Sequence, residues 1–179
     1  PPVWIAGEQP TVIEVAAKRG APVLLSPRHI SVALLKTARA RIEERFAAVG
    51  ADPATLELGT LRIVCVTDDR AEVDRFLENV RYQVRLSQAL RRREEALDGG
   101  MLIERPYEGE PSLDELARNL LVGDAETIAE RMVAEIEGAG LKHYLLQFQT
   151  GSSPHDLARR SLERFAADVR PRILSALGR

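Results

Sequence analysis

Pro2-Val3-Trp4-Ile5-Ala6-Gly7-Glu8-Gln9-Pro10-Thr11 carries the chain from a strand straight into a helix. Pro2 to Ala6 is an apolar run that reads as a buried strand. Gly7 to Thr11 turns the chain, and a helix is expected from about Thr11 to Arg19, where Gly20 stops it. Ala21-Pro22-Val23-Leu24-Leu25-Ser26 reads as the next strand. A glycine-containing turn between a strand's carboxyl end and a helix's amino end is where α/β proteins bind phosphate. The opening directly on a strand is what the second half of a larger barrel would give, and a piece of a longer protein is the expectation.

The same alternation continues. A helix is expected over residues 30–49, with apolar residues at Val32, Leu35, Ile42, Phe46 and Val49 and the stop Gly50-Ala51-Asp52-Pro53. Leu61 to Val66 is rich in β-branched residues and reads as a third buried strand. Asp68-Asp69 can cap the next helix, read from about Ala71 to Leu97. Its tail, Arg91-Arg92-Arg93-Glu94-Glu95, is expected to pair along a solvated helix face and not to bind nucleic acid. Residues 98–111 carry Gly99, Gly100, Pro106, Gly109 and Pro111 and read as a mobile insertion. Ser112 and Glu115 form a capping-box pattern. Leu121 to Asp124 reads as a turn, Ala125 to Glu137 as a helix, Tyr144 to Phe148 as a fourth strand, and residues 155–169 as a final helix. Strands alternating with helices imply a parallel sheet with right-handed crossovers. Four strands suit a small open α/β sheet or half of a (β/α)8 barrel.

Composition sets the class. The chain has 179 residues, 45% hydrophobic and 29% charged, which suits one globular domain with a core. A net charge of -2 argues against nucleic acid or an anionic membrane as the main partner. No apolar run approaches the roughly 20 residues of a membrane span. The single cysteine, Cys65, cannot form an internal disulfide, so a reducing cytoplasm is the default location.

Three stretches, in order along the chain, resemble bacterial luciferase and the luciferase-like flavin monooxygenases. The first runs from Pro1 through Thr11 and Glu14-Val15-Ala16-Ala17-Lys18-Arg19-Gly20 to Ser26. The second is Leu121-Val122-Gly123-Asp124-Ala125-Glu126-Thr127-Ile128-Ala129-Glu130-Arg131. The third joins Leu145-Leu146-Gln147-Phe148-Gln149-Thr150-Gly151 to Ser161-Leu162-Glu163-Arg164-Phe165 and Val169-Arg170-Pro171. The resemblance implies an α/β fold: the carboxyl-terminal half of a TIM (β/α)8 barrel, with parallel strands and flanking helices. The half carrying the family's usual catalytic histidine has no counterpart here.

The resemblance also implies the chemistry. Reduced flavin mononucleotide (FMN), or a deazaflavin, would be the cofactor, and a small organic substrate would be oxidised with O2. A separate flavin reductase would supply the reduced cofactor. The flavin phosphate would lie at Gly7, Glu8, Gln9 and Thr11, and the ring beside the strand end at Leu25 and Ser26. Gln9 stands where the family commonly has a small hydroxyl residue, and Pro10 lacks a backbone donor. A half-barrel alone is expected to be inactive and to form a homo-oligomer through open sheet edges. The alternatives are a non-catalytic self-associating half-barrel and a small phosphate- or flavin-binding module.

Other candidates read as structural. Ser153 with Asp156 forms a capping-box pattern with Pro154 at the first helical position. His29, His143 and His155 show no metal-ligand spacing, and only His29 follows a strand on the candidate active face. Cys65 reads as an inert core thiol.

Overall fold

A computed structural model of the chain describes residues 3–26 and 31–179. Pro1, Pro2, Pro27, Arg28, His29 and Ile30 lie outside the described residues, and so does the candidate role of His29. The elements follow the order β1 (Ile5–Ala6), α1 (Pro10–Arg19), β2 (Val23–Leu25), α2 (Val32–Ala48), β3 (Leu58–Val66) and α3 (Arg70–Arg92). Then come the hairpin β4 (Leu97–Asp98) and β5 (Met101–Leu102), α4 (Leu113–Asn119), β6 (Leu121–Gly123), α5 (Ala125–Ala139) and β7 (His143–Gln147). The described chain ends with α6 (His155–Arg164), a π-turn over Phe165–Val169, and α7 (Arg170–Ala176).

The main sheet is parallel throughout, β1 beside β2, β2 beside β3, and β3 beside β7. The strands are laid down in succession, without the reversal of a doubly wound sheet. Register divides the two faces. Ile5, Val23 and Leu58 are lateral neighbours and share one core cluster with α1 and α2. Val64, Val66 and Leu146 face the same way and bury against α5 and α7. Ala6, Leu24, Gly59 and His143 point to the opposite, inner face, as do Leu61, Leu145, Ile63 and Gln147.

That inner face is covered only in part. At its carboxyl end Ile63 and Cys65 bury against Val73, Phe76, Leu77, Val80 and Val84 of α3. Elsewhere it is open: Leu145 is 53% exposed and Trp4 37%. Trp4 stands edge-on to the His143 ring, with centroids 4.7 Å apart. The first strand is therefore an edge strand and not the buried one its apolar run predicts. An apolar run records that a side chain seeks cover, and the described residues supply that cover on one side only.

Local signals explain most boundaries. Pro10 opens α1, where its fixed φ suits the first helical position. Gly20, at φ 59°, returns its N–H to the carbonyls of Ala16 and Ala17 and ends it. Asp69 caps α3, Asp124 caps α5, and Ser112 with Glu115 forms the expected capping box on α4.

Several expectations are corrected. Helix α3 stops at Arg92, because Arg93 turns left-handed at φ 57° and its N–H returns to Ala89 and Leu90. Leu97 therefore sits in a hairpin, and among the described residues no ion pair links Arg91–Arg93 to Glu94 or Glu95. Arg92 instead lies over the Tyr107 ring, 5.6 Å from its centroid. Residues 121–123 are a strand paired with Val64–Val66, not a turn. Pro154 is the N-cap of α6 and no side chain caps that helix, so Ser153 and Asp156 form no capping box. The helix starts at His155 as read, and Pro154, extended at ψ 133°, precedes it as the N-cap and does not take the first helical position.

Candidate functional site

Strand carboxyl ends converge on one side of such a sheet, and catalytic groups collect there. The described ends are Gly7 after β1, Ser26 after β2, Thr67 after β3, Asp124 after β6 and Phe148 after β7. At the first of them Gly7 adopts φ 132°, a conformation open to glycine and strained for other residues. Its N–H bonds to the Leu24 carbonyl at 3.2 Å, which ties the turn to β2. The Gln9 side chain folds back, and a Cβ on Gly7 would lie 2.6 Å from Gln9 Oε1.

The turn leaves donors free. The N–H groups of Val12 and Ile13 both go to the Gln9 carbonyl. Those of Glu8, Gln9 and Thr11 have no acceptor among the described residues, and no side chain caps α1. Three unpaired donors at the positive end of a helix are chemistry for an anion. Glu8 brings a negative charge to the same place, and Arg41 of α2 answers it at 3.2 Å. Arg41 also lines a groove of about 480 Å³ between α1 and α2, with Glu8, Pro10, Ile13 and Arg45.

Gly7, Glu8, Gln9 and Thr11 are thus brought together, and Ser26 lies exposed at the end of the adjacent strand. Leu25 is not: it is fully buried in the cluster between sheet and helices, and Leu24 faces the inner side. A continuous apolar strand carries no phase, so the sequence does not tell which of two adjacent leucines points inward. Arg41 also escapes sequence reading, since its partner is thirty-three residues away and on another element.

Other candidates fall into place as structure. Cys65 is 1% exposed, and burial, with Glu72 adding to it, pushes its thiol up to about 12. Among the described residues no group of histidine, cysteine and carboxylate side chains can hold a metal ion, and no helix is long and apolar enough to cross a membrane.

The family model for luciferase-like monooxygenases matches residues 1–143. The chain belongs to the luciferase-like monooxygenase family. It is 28% identical over 180 residues to the uncharacterized protein y4vJ of Sinorhizobium fredii (strain NBRC 101917 / NGR234), covering 100% of this chain and 51% of that one. The chain thus spans about half the length of the curated relative it matches.

Solved structures agree on the fold. One is the oxygenating constituent of 3,6-diketocamphane monooxygenase from Pseudomonas putida, a type II Baeyer–Villiger monooxygenase in complex with FMN. It superposes with a TM-score of 0.65 at 21% identity, over 97% of this chain and 49% of that one. The long-chain alkane monooxygenase gives 0.63 at 21%, over 99% and 42%. An F420-dependent secondary alcohol dehydrogenase in complex with an F420-acetone adduct gives 0.61 at 19%, over 96% and 48%. This member of the luciferase-like family therefore has the parallel α/β architecture of those enzymes, over about half their length.

Proposed function

We propose that the chain is part of a flavin-dependent monooxygenase that oxidises a small organic substrate with O2. The observation that carries this reading is the Gly7–Thr11 turn, with its free N–H groups, in a chain of the luciferase-like family. When bound, the reduced flavin supplies two electrons, so that one oxygen atom enters the substrate and the other leaves as water. The chain's own residues bind and orient. The N–H groups of Glu8, Gln9 and Thr11 would hold the phosphate, with the positive end of α1 behind them. Arg41 offsets the Glu8 carboxylate, which otherwise opposes an anion at that position. Ser26, with Leu24 beside it on the inner face, would meet the ring side of the cofactor. Helix α3 closes the carboxyl end of the inner face and keeps water from Ile63 and Cys65.

A deazaflavin in place of FMN is the second cofactor option, supported by the F420-bound neighbour of the same fold. A flavin reductase is the partner that a reduced-flavin monooxygenase requires. The open inner face supports self-association, and a non-catalytic half-barrel is the competing reading. The test is titration with FMN followed by flavin fluorescence. Micromolar binding that Gly7→Ala weakens at least tenfold supports the cofactor site. Binding together with O2-dependent oxidation rules out the non-catalytic reading, whereas no binding at millimolar FMN sinks the cofactor site.

A further inference from the structure

The inner face is apolar along Ala6, Leu24, Leu61, Ile63 and Leu145. Near its carboxyl end one polar side chain interrupts it. Gln147, the last residue of β7, is the register neighbour of Ile63 and so points inward, and it is half-buried. Its amide orientation follows from its bonds. Nε2 donates to the Gln149 carbonyl at 2.9 Å and lies 3.5 Å from both Gln83 Oε1 and Thr150 Oγ1. All three are acceptors, so the nitrogen is held toward the loop after β7 and Oε1 is left facing away from it. Gln83 comes from α3, and its Oε1 is engaged by Gln147, which leaves its Nε2 outward. Gln147 Oε1 and Gln83 Nε2 have no partner among the described residues. Two side-by-side amides therefore offer one acceptor and one donor above an apolar strip of Leu61 and Leu145.

We propose that Gln147 and Gln83 bind the pyrimidinedione edge of the cofactor ring. That edge presents an N–H beside a carbonyl oxygen, the complement of the acceptor and donor on offer. Flavins and deazaflavins share it, so the assignment does not depend on which is bound. The span is suitable. Three strand intervals of about 4.8 Å, with Gln147 three residues further along the strand direction than Gly7, put the two roughly 17 Å apart, close to the reach of FMN from phosphate to pyrimidine edge with a hydrogen bond at each end. An apolar surface with a few placed polar groups is the usual make-up of a ring-binding site. The proposal rests on the flavin reading of the Gly7–Thr11 turn, and assigns the opposite end of the same ligand to two residues on other elements.

The experiment compares FMN with N3-methyl-FMN, in which the ring N–H is replaced. The unsubstituted chain is expected to bind FMN about tenfold more tightly, the worth of one well-placed hydrogen bond. Gln147→Leu should lower FMN affinity by about the same factor and remove the discrimination. Gln83→Leu should lower FMN affinity as well, and neither variant should change competition by ribitol 5-phosphate, which has no ring. Gln147→Met, checked by circular dichroism, serves if Gln147→Leu folds poorly. FMN binding without discrimination by the unsubstituted chain, or discrimination unchanged in the folded variants, overturns the inference and leaves the phosphate site standing. No FMN binding at all overturns both.

Discussion

Arg62 and Glu135 are each 2% exposed and lie 2.7 Å apart between β3 and α5. Arg62 also donates to the Asn119 carbonyl, and the Tyr144 hydroxyl donates to Glu135 at 3.2 Å. Arg131 donates to the carbonyls of Ala117 and Leu120, so two arginines satisfy the turn from α4 into β6. Burial pushes Glu135 up and the Arg62 guanidinium pulls it back, while burial pushes Tyr144 up and keeps it neutral. Removing one member leaves a buried charge without its partner. Arg62→Met is therefore expected to cost about 3–5 kcal/mol in urea unfolding. Arg62→Met with Glu135→Leu should recover most of that loss, and a double variant no more stable than the single one would contradict this account. Cys65 yields a second residue-scale prediction. A thiol 1% exposed and pushed up to about 12 should resist a disulfide reagent in the native chain from pH 7 to 9 and react on unfolding. Rapid native labelling would contradict its burial. None of these contacts is legible in the sequence, because Arg62, Asn119 and Glu135 are far apart along the chain. The Gly7–Thr11 turn is legible, because all its determinants are contiguous.

At the scale of elements, the insertion after α3 is held by a clasp. Arg85 Nε and Nη2 bond to the two Glu110 oxygens at 2.5 and 2.9 Å, and Nη1 reaches Glu104 at 3.1 Å. The Tyr82 hydroxyl accepts from the Leu102 N–H at 3.1 Å. The Arg85 bond holds the Glu110 carboxyl below the usual carboxylate range, which fixes the sign of its pH dependence. A depressed pKa contributes stability that is complete above the ordinary carboxylate value and is lost as pH falls through the lowered one. Amide protection factors over residues 97–110, exchange rates corrected for the intrinsic pH dependence, should therefore fall toward acid ahead of those of the core strands. Arg85→Leu should quicken exchange there at neutral pH by roughly 10-fold or more, since charge-assisted bonds are worth about 1.5–3 kcal/mol. Equal exchange in both chains would show that the clasp does not hold the segment. The insertion is legible in its glycines and prolines, but the helix before it ends at Arg92, five residues short of the Leu97 its sequence suggests. Arg91 to Glu95 are all good helix formers, and the left-handed turn at Arg93 is set by the hairpin packing that follows.

At the scale of the whole molecule, the sheet has five parallel strands: β1, β2, β3 and β7 lie side by side, β6 pairs with the carboxyl end of β3, and the outer edges of β1 and β7 lack a strand partner among the described residues. Helices cover the outer face fully, and α3 covers only the carboxyl end of the inner one. The parallel alternation of strand and helix was legible, because each β/α unit carries its own turn and cap signals, whereas the three-residue β6 reads as a turn. The open face was not, because apolar alternation does not record which side finds a neighbour. An open parallel edge is a site for strand addition, and an exposed apolar face favours association. Two copies related by a two-fold axis along the barrel would place β7 of each beside β1 of the other, all strands running the same way. That arrangement covers Trp4, Leu61 and Leu145 in both copies at once and leaves no edge. The chain alone is therefore expected to sediment as a dimer or larger assembly at micromolar concentration. Leu145→Glu puts a charge on the centre of the covered face and should shift the equilibrium toward monomer by at least tenfold, without loss of helical circular dichroism. Leu162→Glu, at a site 52% exposed on α6, is the control and should leave assembly unchanged. A clean monomer for the unsubstituted chain, or equal assembly of the two variants, would mean that the inner face is not where the copies meet.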